Sequence, residues 1–193
     1  MVLTGVSVSG SRLLWAYLIV TTVAHTLTHT FVNTHFALVP VFRDELGLSI
    51  EIISLMVMIP MLIQAITYLP FGILSDRFKP SRLIALSLFI AGVGGLIVAQ
   101  SKTIPVLVFG FSVISLSLSI FHPPAYSVVS ELFGSRRRNV ALGIHGAGGT
   151  LGMAAGPISV GLVMYFLGES NWRVSYLIWA LPALLCGLLV LLM

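Results

Sequence analysis

The chain has 193 residues, of which 58% are hydrophobic and only 8% are charged, and its formal net charge is +4. A soluble globular domain carries about 25% charged residues, so this composition excludes one and is typical of a protein embedded in a membrane. The basic residues stand in short gaps between apolar runs, which excludes the basic surface of a nucleic-acid-binding protein.

Six apolar runs are each long enough to cross a bilayer as a helix, which takes about 17–25 residues. They are continuous and lack the alternation of a membrane barrel strand, so the sequence predicts an all-α membrane protein. We expect one six-helix transmembrane domain over residues 1–193, with no soluble domain inserted. The predicted spans are 13–42, 50–74, 83–99, 104–129, 140–167 and 174–193.

The charged gaps predict the orientation of the helices. With the gaps assigned to alternate sides of the membrane, seven of the ten basic residues lie on the side of both termini. Positive charge is retained on the cytoplasmic side, so we expect both termini in the cytoplasm and the protein in the cell's inner (plasma) membrane. The seven residues are Arg12, Arg77, Lys79, Arg82, Arg136, Arg137 and Arg138.

The first span is unusual because polar side chains interrupt it, and residues 24–36 read AHTLTHTFVNTHF. A helix turns by about 100° per residue, which brings four of the polar residues here onto one face. They are Thr22, His25, His29 and Asn33. Ionisable groups inside a membrane are costly unless they face a cavity or a partner, so this face is predicted to line a substrate or proton pathway. The other threonines can bond to the preceding turn and are discounted, and His35 is expected near the outer water boundary.

The gap after the second span, GILSDRFKPSR, resembles the loop signature of the major facilitator superfamily. Gly72, Asp76 and Arg77 match that signature in order, and Arg82 adds to its basic cluster, whereas the later glycine of the signature is absent. We expect Gly72 to let a neighbouring helix approach closely. Asp76 is expected to cap a helix N-terminus or to pair with a basic residue across a moving interface. The alternative is a short solvated turn.

The fifth span carries glycines whose spacing is similar to the fifth-helix motif of proton-antiporting members of that superfamily. The matching residues are Gly143, Gly152, Gly156 and Pro157. Gly148, Gly152 and Gly156 are also spaced by four, which predicts a smooth stripe where another helix packs closely. A role in coupling and a role in packing alone both stay open.

The fourth span ends in Phe-His-Pro before a basic loop, and His25 and Pro40 precede a DELGLS loop. These features resemble the fosmidomycin-resistance branch of the superfamily, although His29 stands where that branch has an acidic residue. The resemblance covers nearly the whole chain but only the first six of twelve helices. It implies that the first, second, fourth and fifth spans line a central cavity. The histidines on those spans are His25, His29, His122 and His145. Each is alternatively a neutral structural imidazole, and His122 alternatively sets the bend before the prolines that follow it.

The resemblance implies a secondary active transporter, an efflux antiporter of the drug-resistance type that exports a small organic molecule or drug in exchange for protons. Imidazole, with an ordinary pKa near 6.5, suits proton binding and release at physiological pH. The expected partners are the substrate, protons, lipid and a second six-helix half, which comes from a second copy in a homodimer or from a longer carrier. No nucleic acid is expected.

Two alternatives remain. One is a transition-metal carrier that uses His25 and His29, completed by His122 or His145, and the other is a non-transporting membrane assembly subunit or fragment. An enzyme is not expected, because the sequence holds no nucleophile and base pair and no phosphate-binding loop. No cofactor or metal site is assigned from the sequence.

Overall fold

The computed structural model describes residues 8–44 and 46–193, and its regular elements in these ranges are all helical. The elements are α1 (Val8–Ala37), α2 (Val39–Asp44), α3 (Ile50–Ser75), α4 (Pro80–Gln100), α5 (Ile104–Leu132), α6 (Gly134–Leu167), a 3-10 turn (Glu169–Asn171) and α7 (Val174–Leu192). Six of the helices are long and α2 is short. The predicted all-α fold is therefore confirmed.

The first predicted span is interrupted in the structure. Helix α1 ends at Ala37, and the short helix α2 begins at Val39, so residues 13–42 do not form one helix. Pro40 accounts for the break, because proline cannot donate the helical hydrogen bond to the carbonyl oxygen of Phe36, and its ring clashes with that carbonyl group. Each of the other predicted spans corresponds to one long helix.

Five helices, α3 to α7, are both long and apolar enough to cross a membrane. Helix α1 is also long, with 30 residues, but it is not among them. Its histidines, threonines and asparagine reduce its apolar character. Helix α1 is instead covered by other helices of the chain, chiefly α6, with α5 and α7 also in contact.

Three further helix pairs pack closely in the bundle: α4 packs against α5 and against α7, and α3 packs against α5. The largest buried cluster is rich in aromatic rings contributed by α1, α2, α5 and α7, including Phe31, Phe42, Phe111 and Tyr176. A second cluster surrounds Phe121 of α5. His25 of α1 stacks on the ring of Phe121 in this second cluster, at a centroid distance of 5.4 Å.

Glycines on one face of α6 allow α1 to approach closely. A Cβ atom added at Gly148 would lie 2.7 Å from the carbonyl oxygen of Thr22, and one at Gly156 would lie 2.7 Å from that of Thr30. Gly152, between them, faces the backbone of Thr26. The predicted packing stripe is confirmed, and the coupling role of the same glycines stays a prediction.

The residues at the end of α3 and in the loop before α4 do not make all the contacts expected from the sequence. Outside its own helix, no atom of the described residues lies within 4 Å of a Cβ added at Gly72, so no neighbouring helix of the described chain packs closely there. Asp76 is the C-cap residue of α3, and Lys79 is the N-cap residue of α4, so Asp76 caps no helix N-terminus. Pro80 fixes that helix start, because proline is favoured at the first helical position. Arg77 and Arg82 are exposed.

Arg173 joins the start of α7 to the loop between α4 and α5. Its Nε and Nη2 atoms donate to the Ser101 carbonyl oxygen at 3.2 Å and 3.1 Å. Its guanidinium carbon lies 4.2 Å from the ring centroid of Trp172, which is fully buried. This contact closes one end of the helical bundle.

Candidate functional site

Four histidines that are distant in sequence meet where α1, α5 and α6 pack together. The ring centroid of His25 lies 4.8 Å from that of His29, 5.3 Å from that of His122 and 4.4 Å from that of His145. We call these four residues the histidine cluster. The structure thus brings together all four histidines that the sequence singles out.

His25 is at the centre of the cluster and only 2% exposed. Its Nδ1 donates a hydrogen bond to the carbonyl oxygen of His145 at 2.8 Å. Gly149 makes room for the ring, since a Cβ there would lie 2.8 Å from Cε1 of His25. A carbonyl only accepts, so Nδ1 carries the proton, and Nε2 of the neutral ring keeps its lone pair. That Nε2 atom is buried and has no hydrogen-bond partner among the described residues.

His29 and His122 contact one another directly, with their Nε2 atoms 3.2 Å apart. Nδ1 of His122 donates to the carbonyl oxygen of Leu118 at 2.9 Å. By the same reasoning Nε2 of His122 is the acceptor, and His29 is the donor of the bond between the two rings. Both residues are only partly buried.

The remaining polar residues of the predicted face do not reach the imidazoles. Asn33 donates from Nδ2 to the carbonyl oxygen of His29, within its own helix, at 2.9 Å. The Thr22 hydroxyl is buried at the close contact with Gly148 and has no hydrogen-bond partner in the described part of the chain. Of the four residues on the predicted face, only His25 and His29 therefore contact the histidines of α5 and α6.

Other polar residues of α1 are structural. Each of five threonine hydroxyls donates to a carbonyl oxygen three or four residues earlier, as expected from the sequence. They belong to Thr21, Thr26, Thr28, Thr30 and Thr34. His35, which is expected near the outer water boundary, lies in the last turn of α1 and is 2% exposed, because Phe111 of α5 covers it at a centroid distance of 4.9 Å.

A cavity of about 540 Å³ opens beside His122, between α3 and α5. The rings of Tyr68 and Tyr126 line it and lie nearly parallel to that of His122, with centroids 6.1 Å and 6.0 Å away. Gly72 lies in its wall, so this glycine keeps the cavity open instead of packing against a helix. None of the lining residues is acidic. The lining residues are Ala65, Tyr68, Leu69, Gly72, His122, Pro123 and Tyr126.

Sequence reasoning missed both tyrosines and the polar link between α3 and α5. Tyr126 lies four residues after His122, a spacing that places two residues on one helix face and that could have revealed it. Tyr68 has no comparable signal. In the link, the Ser119 hydroxyl donates to the carbonyl oxygen of Gln64 at 2.9 Å and accepts from the Thr67 hydroxyl at 3.0 Å.

A family model described as the Major Facilitator Superfamily matches residues 13–193. The chain belongs to the major facilitator superfamily. It is thus a multi-pass membrane protein of a transporter family. Over 129 residues it is 26% identical to the riboflavin transporter RibZ of Clostridioides difficile (strain 630), a match that covers 67% of this chain and 28% of that protein.

Solved structures of superfamily transporters share the fold. A bacterial homolog of the human lysosomal transporter Spinster, inward-facing and unoccupied, superimposes with a TM-score of 0.79 at 20% identity, covering 93% of this chain and 42% of that one. A peptide transporter, POT, in complex with sulfate gives a TM-score of 0.74 at 20% identity, covering 91% and 36%. The chain therefore spans less than half the length of these transporters and forms one six-helix half of the superfamily fold.

Proposed function

We propose that this chain is half of a secondary active transporter that exports a small organic molecule or drug in exchange for protons. The observation that carries the proposal is the histidine cluster, which opens through His122 into the 540 Å³ cavity of a transporter fold. Buried ionisable groups inside a membrane domain mark substrate or ion pathways, because their desolvation is otherwise unfavourable.

The lining of the cavity supports a flat, uncharged or anionic organic substrate. Tyr68 and Tyr126 are 42% and 41% exposed, so their ring faces are available for stacking on an aromatic ligand. The lining holds no carboxylate that would attract a cation. The similarity to a riboflavin transporter agrees with this substrate class, since riboflavin has a flat fused-ring system.

Exchange for protons rests on the antiporter-like glycines of α6 and on the resemblance to the fosmidomycin-resistance branch, to which we assign the chain. The residues that we place on the substrate and proton pathway are Thr22, His25, His29, Asn33, His122 and His145. Those that we assign to conformational gating are Gly72, Asp76, Arg77, Arg82, Gly143, Gly152, Gly156 and Pro157.

Alternating access in this superfamily takes place between two six-helix halves. We propose that a second copy of this chain, or further helices of a longer carrier, supply the other half. The carrier lies in the plasma membrane with both ends of this domain in the cytoplasm. The exposed apolar side chains of α3 and α6 then face lipid or the other half.

The test is transport of riboflavin, chosen as a fluorescent flat probe, by the protein that contains this chain after reconstitution into liposomes. An imposed pH gradient is expected to drive uptake, and collapsing the gradient with an ionophore is expected to abolish it. Uptake that is equally fast without the gradient would rule out proton coupling. No gradient-driven uptake of riboflavin or of a panel of flat aromatic drugs would rule out the proposed substrate class.

Matched variants connect this flux to the cavity. Tyr68→Leu is expected to raise the substrate concentration at half-maximal flux by about 2–10-fold, the equivalent of about 0.5–1.5 kcal/mol of ring stacking. Tyr165→Leu is the control, because Tyr165 is 82% exposed and lies outside the cavity. Equal changes in the two variants would contradict binding at this site.

A further inference from the structure

Three rings of the histidine cluster are arranged as ligands of one ion. One ring nitrogen from each of His25, His29 and His122 lies within 4.8 Å of the other two. The rings meet edge to face, with interplanar angles of 65°, 85° and 69°. We infer that these three histidines bind a divalent transition-metal ion, with an open coordination position toward the cavity. The inference is independent of the transport proposal, since it concerns binding alone.

Hydrogen bonds to the backbone prepare two of the rings for an ion. His25 and His122 each donate from Nδ1 to a carbonyl oxygen, that of His145 and that of Leu118. Metal-binding histidines almost always use their second ring nitrogen in this way, which fixes the tautomer and the direction of the lone pair. The buried Nε2 of His25 has a lone pair and no partner within the described chain.

The spacing of the nitrogens fits coordination after a small movement. Ligand nitrogens about 2.0–2.1 Å from a tetrahedral zinc ion are about 3.3 Å from one another. Nε2 of His29 and Nε2 of His122 are already 3.2 Å apart. Coordination of one ion therefore requires the ring of His25 to move closer to this pair. When His29 coordinates through Nε2, its proton moves to Nδ1, so the neutral ring changes tautomer without a change in charge.

The chemistry of the ligands selects the class of ion. Neutral imidazoles suit Zn²⁺, Ni²⁺, Co²⁺ and Cu²⁺, whereas Mg²⁺ and Ca²⁺ require oxygen ligands. Three protein ligands leave a position for water or for a donor atom of a small molecule in the cavity. His29 and His122 are the partly exposed members of the three, and His122 lines the cavity, so the open position faces it.

His145 is not a ligand in this arrangement. Its ring stacks on that of His25 at a centroid distance of 4.4 Å and an interplanar angle of 17°. The lone pairs of imidazoles lie in the planes of the rings, so two stacked rings cannot direct them at one ion. Of the two ways to complete the site that the sequence left open, the geometry favours His122.

The experiment is calorimetric titration of the protein, purified without a polyhistidine tag, with Ni²⁺ and with Zn²⁺. We expect one ion per chain at micromolar concentration, and no competition from Mg²⁺ or Ca²⁺. His29→Gln and His122→Gln are each expected to weaken binding by more than about 100-fold, since loss of outer partners alone costs about 10–100-fold. His35→Gln is the matched control, because His35 is a buried histidine of the same helix outside the cluster, and it should bind as the unaltered protein does.

A second measurement needs no variant. In protein labelled with ¹⁵N-histidine, Zn²⁺ is expected to shift the Nε2 resonances of three histidines and to leave those of His35 and His145 as ligand-free imidazoles. No heat and no shifts at micromolar ion would overturn the inference. So would binding that survives in folded His29→Gln or that is lost equally in His35→Gln. Flux measured with a chelator present tests the transport proposal separately.

Discussion

At the scale of single residues, most polar groups inside the bundle are matched to a particular backbone carbonyl. The imidazoles of His25 and His122 donate to carbonyl oxygens of α6 and α5, and Arg173 does the same at the end of the bundle. Such bonds matter because an unpaired polar group away from water is destabilising by about 1–3 kcal/mol. Replacing a residue whose side chain donates to one particular carbonyl oxygen is therefore expected to lower the free energy of unfolding more than replacing an exposed polar residue.

Arg173→Gln is expected to lower the free energy of unfolding by about 1.5–3 kcal/mol, because hydrogen bonds from a charged donor contribute that much. The variant loses the paired donation to the Ser101 carbonyl and the contact with the Trp172 ring. Denaturant unfolding in detergent measures the change. Lys102→Gln is the control, since it removes the same charge from an exposed residue of the same end. If the two variants lose similar amounts of unfolding free energy, the effect comes from the removed charge and not from the contacts of Arg173.

At the scale of helices, the contact between α1 and α6 decides how the histidine cluster forms. The glycine face of α6 meets the threonine backbone of α1, and this close approach brings the His145 carbonyl to His25. Small residues permit such contacts in membranes, where helices associate through packing instead of the hydrophobic effect. The glycines and the histidines are thus parts of one contact.

Gly152→Ala and Gly161→Ala are expected to have opposite effects on stability. A Cβ at Gly152 would overlap the backbone of Thr26, which cannot move away as a flexible side chain would. Overpacking of this kind destabilises by about 1–3 kcal/mol. Outside its own helix, no atom of a described residue lies within 4 Å of a Cβ at Gly161, so alanine there should be neutral or stabilising by about 0.5–1 kcal/mol. Thermal unfolding of the two variants measures this, and an equal loss in both would argue against the specific contact.

Sequence periodicity predicted which residues share a face of α1 but not what covers that face. The angle between His25 and His29 follows from helix geometry alone, so their grouping was accessible. The burial of His25 and His35 depends on Gly149 and Phe111, which lie on other helices, and no pattern within α1 encodes it. Tyr68 was missed for the same reason, because its role comes from the packing of α3 against α5.

At the scale of the whole molecule, the apolar runs and the family resemblance predicted the six-helix half, because span length and hydropathy are properties of the chain itself. Pro40 lies within a continuous apolar run, and the length of that run alone does not predict the break between α1 and α2. The orientation of the helices in the membrane does not follow from their packing against one another. The prediction of orientation rests on the distribution of basic residues between the two sides.

Cysteine labelling tests that orientation. In a Cys186→Ala background, Ser170→Cys in the turn after α6 is expected to react with a membrane-impermeant maleimide on intact cells. Phe78→Cys, in the loop between α3 and α4, should react only after permeabilisation, since the two exposed positions lie on opposite sides of the predicted topology. The reverse pattern would place both ends of the domain outside the cytoplasm.

The hydrogen bond between His25 and His145 also sets an order of events during synthesis. Its two residues are 120 positions apart. A ribosome adds about 5–20 residues per second, so the partner of His25 is made about 6–24 s after it. During that interval α1 has no α6 against its polar face. We therefore expect the polar face of α1 to be buried only after α6 has entered the membrane.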